Sequence, residues 1–204
     1  MPELDENKIE QPQQTQEQPH SNALIRGIIE QVELFVIVFA IIILAFSFVV
    51  RTCRVSGDSM DNTLHHEENV LVSDMLYTAQ RGDIIVFHQT GTELGDYNEP
   101  IVKRVIAVAG DTVKIQHKAD TMVVTITDRE GNSTVLKEDY IEYDYPSYPD
   151  STTYVEEGTV FVMGDNRSHS GDSRSPRIGL VDTRRILGKV VFRLTPISRF
   201  GTVD

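Results

Sequence analysis

The stretch LFVIVFAIIILAFSFVV, Leu34 to Val50, carries no charged side chain and is bracketed by Glu33 and Arg51. As a helix it is about 25 Å long, close to the thickness of a bilayer's hydrocarbon, and Ile28, Ile29 and Val32 extend it. A core helix of a soluble domain would show a polar face, and this one has none. A cleaved export signal would start near the N-terminus behind basic residues, whereas this run follows about thirty acidic, Gln-rich positions. The sequence therefore predicts a single retained transmembrane anchor over 26–51. Residues 1–25 hold five acids, one Lys and few apolar side chains, the composition of a disordered tail. Arg26 stands on one flank and Arg51 and Arg54 on the other, so charge alone does not decide which side of the membrane holds the body.

The body, 52–204, reads as mainly β. NVLVS (69–73), DIIVFHQ (83–89), IVKRVIAVA (101–109), TMVVTITD (121–128), STVLKED (133–139), TVFVMGD (159–165) and GKVVFRLT (188–195) are short and rich in Val and Ile. Turn signals such as RGD, AGD and DREGNS separate them. EDYIEYDYPSYPDS breaks this rhythm, which predicts a loop-rich inserted subdomain over 117–157. The formal net charge of −12 argues against a nucleic-acid partner. With Cys53 as the only cysteine, no intrachain disulfide can form, and Cys53 reads as a plain interfacial thiol.

Chemistry concentrates in three stretches. SGDSMDNTL (56–64) offers Ser59, but a serine hydroxyl needs a base to become a nucleophile. One candidate base is His169 in GDNRSHSGDSR (164–174), with Asp165 or Asp172 completing a triad; His65 and His66 are nearer in sequence. The other is Lys103 in PIVKRVIAVAG, where alternation places it on one strand face with Ile101, Val105 and Ala107. Arg104 falls on the opposite face with Val102, Ile106 and Val108. A lysine amine desolvated among aliphatic neighbours loses its charge and can accept a proton; one that reaches water stays charged. A neutral amine also needs an acceptor to orient it, and the Ser170 hydroxyl suits that task. His65, His66, Glu67 and Glu68 alternate faces if extended, which favours a solvated turn over a metal site.

Taken together, these three stretches behind one anchor resemble the boxes of bacterial type I signal peptidases in the short Gram-positive style. The resemblance implies an antiparallel signal peptidase/LexA-like β fold behind a single N-terminal transmembrane helix. It implies Ser59 as nucleophile, Lys103 as general base and Ser170 as the group that orients the amine. Asp165, Arg167, Asp172 and Arg174 match positions that brace the site. Substrate would lie extended between Val55, Ser56, Gly57 and Asp58 on one side and Ile101 and Val102 on the other, with Met60 and Leu64 also contributing. No metal or cofactor is needed. The implied partners are signal-peptide-bearing precursors and the lipid bilayer, with cleavage after Ala-x-Ala-like sites.

The implied location is the cell membrane, single-pass, N-terminus cytoplasmic and body outside. Asn62 stands where the family usually has Pro, and Gly57 where some members have a serine that stabilises the oxyanion. The connection after Arg174 is also longer than usual. A non-catalytic membrane-tethered peptide-binding homologue is the alternative these departures suggest. A self-cleaving repressor of the LexA type shares the chemistry but would need a basic DNA-binding segment, which this chain lacks.

Overall fold

A computed structural model of the chain describes residues 19–75, 77–89, 99–118, 121–141 and 148–203. It divides into two compact units, Met1–Ala45 and Phe46–Asp204. The first contains most of helix α1 (Pro19–Val49). Its segment Ile25–Leu44 is long and apolar enough to cross a membrane, and its side chains are exposed throughout. The helix begins earlier than the composition of 1–25 suggests, because Pro19 fits a first helical turn, where its missing N–H costs nothing. Residues 1–18 of the expected tail lie outside the described residues. At the other end the helix stops at Val49, and Val50 opens a strand.

The second unit holds two antiparallel sheets. The first contains β1 (Val50–Arg54), β2 (Asn69–Ser73), β3 (Ile84–Phe87), β4 (Ile101–Val108), β9 (Thr159–Met163), β10 (Val181–Asp182), β11 (Ile186–Thr195) and β12 (Gly201–Thr202). Its order is β1-β2-β11-β3-β4-β9-β10, with β12 paired to β11. The second sheet contains β5 (Thr112–Lys118), β6 (Thr121–Thr127), β7 (Ser133–Val135) and β8 (Ser151–Tyr154), in the order β7-β6-β5-β8. The segment 117–157, expected to be loop-rich, thus supplies most of a sheet. Tyr and Pro interrupt it only between β7 and β8, and 142–147 lie outside the described residues.

One core stacks the two sheets, and a second fills the other face of the first sheet. Ile106, Ala107, Phe161 and Met163 of the first sheet pack against Val113, Ile115, Val124 and Ile126 of the second. On the opposite face of the first sheet Ile85, Phe87, Val105, Val160 and Val162 meet Ile178 and Val181. The pairing of β4 with β9 shifts register between Val105 and Ala107, so an extra residue is accommodated at Ile106. That bulge carries Ala107 into the same core as Ile106, away from the face that simple alternation gives it with Lys103. Lys103 and Arg104 precede the bulge, at a site where β3 and β9 pair both edges of β4 and hold it in place.

Candidate active site

Ser59 sits in the turn between β1 and β2. Lys103 sits on the central strand β4, and its Nζ lies 2.7 Å from Ser59 Oγ. The amine also donates to the Val102 carbonyl at 2.9 Å. Lys103 is only 4% exposed. Burial pushes its pKa down to about 8, against the opposing pull of the Asp172 and Asp165 carboxylates. Arg104, the next residue, points to the other face, where its guanidinium binds Asp165 through Nε at 2.9 Å and Nη2 at 2.8 Å. Thr63 Oγ1 donates to the same carboxylate at 2.5 Å.

The segment after β9 holds Ser59 in place. Asn166 donates its backbone N–H to the Ser59 carbonyl at 3.1 Å and its side-chain amide to the Asp58 carbonyl at 3.1 Å. Gly164 is required here by space: an added Cβ would stand 2.4 Å from the Ser59 carbonyl oxygen and 2.3 Å from Ser170 Oγ. Asp172 accepts from the Gly164 N–H at 3.0 Å and from Arg174 through Nε and Nη2 at 2.8 Å each. Arg167, fully buried, donates to the Gly164 carbonyl at 3.0 Å and pairs with Glu138. The braces therefore run Asp165 to Arg104, Asp172 to Arg174 and Arg167 to Glu138. A buried ion pair left with one partner costs several kcal/mol, about 3–5, which is why such pairs hold a loop in one geometry.

The structure brings Ser59 and Lys103 together and keeps His169 apart. The His169 ring is exposed, and both of its candidate acids are engaged by arginines. Ser170 Oγ is buried against Gly164 and has no hydrogen-bond partner among the described residues. A cleft of about 260 Å³ is lined by Val55, Ser56, Gly57, Asp58, Met60, Ile101 and Val102, together with Ser59 and Lys103 at its floor. Leu64 is the exception among the expected cleft residues. Its N–H turns back to the Met60 carbonyl at 2.8 Å, and the side chain is fully buried with Val70 and Val72. No cluster of metal-ligating side chains occurs among the described residues, and His65 bonds instead to Asp61 at 3.0 Å.

Several contacts around the site were not evident from the sequence. Asn62 has φ +83° and donates to the Tyr140 carbonyl at 2.9 Å. The Tyr140 ring lies under the Arg104 guanidinium, 4.1 Å from ring centre to carbon, and its hydroxyl donates to Glu138. Burial and the Glu138 carboxylate push the Tyr140 phenol well above its ordinary range, so it stays a donor. Tyr148 donates to the Ser170 carbonyl at 3.2 Å and stacks on Arg174. The short apolar signal at Val135 and Leu136 hinted at a strand there, but nothing in the sequence tied Glu138 or Tyr140 to the boxes.

Comparison with known proteins decides the family. The sequence matches the family described as signal peptidase, peptidase S26, over residues 28–195. The chain belongs to that family. Signal peptidase IB of Staphylococcus aureus (strain COL) is 32% identical over 195 residues, covering 86% of this chain and 93% of the relative. A probable signal peptidase I-1 of Synechocystis is 34% identical over 181 residues, covering 84% of this chain and 85% of the relative. A crystal structure of a signal peptidase I from Enterococcus faecalis matches with a TM-score of 0.41 at 28% identity, covering 56% of this chain and 98% of that one. As a member of the family this peptidase is a serine endopeptidase, a hydrolase, and its N-terminal apolar helix is the membrane anchor expected of it.

Proposed function

We propose that this peptidase removes N-terminal signal peptides from exported proteins after Ala-x-Ala-like sites, with Ser59 as nucleophile and Lys103 as general base. The observation that carries the reading is the 2.7 Å separation of Nζ and Oγ around a buried amine whose pKa lies near 8. Lowering a lysine from its ordinary value by that much corresponds to about 3 kcal/mol of selective destabilisation of the charged form. The neutral amine takes the Ser59 proton as Oγ attacks the scissile carbonyl. The ammonium so formed passes that proton to the departing amine, leaving an acyl-enzyme. Water then attacks the ester, again deprotonated by Lys103.

The Val102 carbonyl fixes one amine hydrogen, and the buried Ser170 hydroxyl, which has no hydrogen-bond partner among the described residues, is the group assigned to orient the amine further. Gly57 carries no hydroxyl, so the oxyanion rests on backbone N–H groups, including that of Ser59. Val55 and Ser56, ahead of the bend at Gly57, and Ile101–Val102 offer edges for backbone pairing, and the small apolar hollows beside them favour alanine. The body lies outside, where the cleavage sites of translocated precursors emerge, and the tail lies inside.

The test is cleavage of an Ala-x-Ala precursor by the full chain in detergent. Ser59→Ala and Lys103→Ala are expected to abolish product, while His169→Ala keeps most activity; loss on His169→Ala with tolerance of Lys103→Ala overturns the dyad. The non-catalytic alternative rests on Asn62 and Gly57, and intact peptide binding without product from the wild-type chain would support it.

A further inference from the structure

Val55 is held by the turn before β2: its N–H donates to the Glu68 carbonyl at 2.8 Å, and its carbonyl accepts from Glu67 N–H at 2.9 Å. The next rung of that ladder belongs to Gly57 N–H. At Glu67 the backbone turns to φ +69°, leaving the ladder. The His66 ring stands opposite instead, and its Nδ1 accepts from Gly57 N–H at 3.0 Å. Gly57 itself has φ +89° and faces open space on its side-chain position, so little else restrains it. Gly57 is two residues before the nucleophile and lines the cleft.

From this we infer that His66 is a positioning residue for substrate: its imidazole replaces a strand carbonyl and holds Gly57 in the bend that follows Val55 and Ser56, with the opposite edge of Val55 and Ser56 open for the peptide. The inference rests on the proteolytic reading of the cleft. Only a neutral ring with its hydrogen on Nε2 can accept at Nδ1. The charged groups facing the ring are Glu67, 3.9 Å from Nε2, Arg54, which pairs with Glu67 at 3.0 Å, and Glu99 across the adjoining hollow. His65 is turned away to Asp61. Peptide binding therefore weakens when this hydrogen bond is lost, independently of the Lys103 chemistry.

Two measurements on the full chain in detergent test this. The first is steady-state cleavage of an Ala-x-Ala peptide by His66→Phe and His66→Asn; the Asn carbonyl oxygen occupies the place of Nδ1. One lost hydrogen bond predicts KM raised about five-fold in His66→Phe with kcat nearly unchanged, and KM restored by His66→Asn. The second is nitrogen-15 NMR of Gly57 amide exchange. Protection is expected to be present in wild type, to be absent in His66→Phe and to persist in His66→Asn. Equal KM values in all three forms, or Gly57 protection that ignores His66→Phe, overturn the inference. A wild-type chain that does not cut the peptide would overturn the proteolytic reading, and the Gly57 exchange would still report on the His66 contact.

Discussion

At the residue scale, Ser59 and Lys103 were legible as candidates because each sits in a short box, a serine in a polar turn and a lysine among aliphatic residues on a strand; the residues alone left His169 open beside Lys103, and the family resemblance chose between them. The supporting contacts were not legible, since Asn62 meets Tyr140 and Arg167 meets Glu138 across long stretches of chain, and polar residue type alone does not name a distant partner. Ser59 reactivity should follow the charge on Lys103. With a base pKa near 8, kcat/KM is expected to fall about tenfold for each pH unit below that value and to level off above it, read from a pH–rate profile. Gly164 gives a second prediction. Gly164→Ala drives a methyl into the Ser59 carbonyl oxygen and should lower kcat by about 10² while circular dichroism stays unchanged, because a displacement near 1 Å suffices for such a loss.

Among the elements, β2, β3, β4, β6, β9 and β11 were legible from alternating Val and Ile. β8 was not, because STTY has no aliphatic residue, and β1 was not, because it follows the apolar helix without a turn signal. The turn carrying Ser59 shows how a sequence comparison alone misleads. Proline at position 62 looks like a stabilising return to the family pattern, yet φ there is +83°, which a proline ring cannot adopt. Asn62→Pro is expected to lower the urea midpoint by an amount equivalent to more than about 1 kcal/mol, whereas Asn62→Gly, which tolerates the same backbone, loses less; equilibrium denaturation followed by fluorescence checks both.

For the whole molecule, sheet order could not be read from the chain, because β11 lies between β2 and β3 and the pairing is set by distant contacts. The buried base leaves a mark on global stability. The Lys103 pKa falls from 10.5 unfolded to about 8 folded, so between these values the unfolded chain binds more protons and stability rises with pH. Below about pH 8 the full cost of about 3 kcal/mol is present. Lys103→Met should therefore stabilise the protein at pH 6–7 and lose that advantage near about pH 10, measured by denaturant titration at each pH. The base and the arginine that grips Asp165 are successive residues of β4, one facing each side of the sheet. A slip of that strand by a single position would hand Ser59 a guanidinium that never gives up its charge, and would leave an amine facing Asp165. The proposed hydrolysis thus depends on the frame in which one strand is laid down, and the neighbouring kink at Ile106 lets the chain correct its later packing without disturbing that frame.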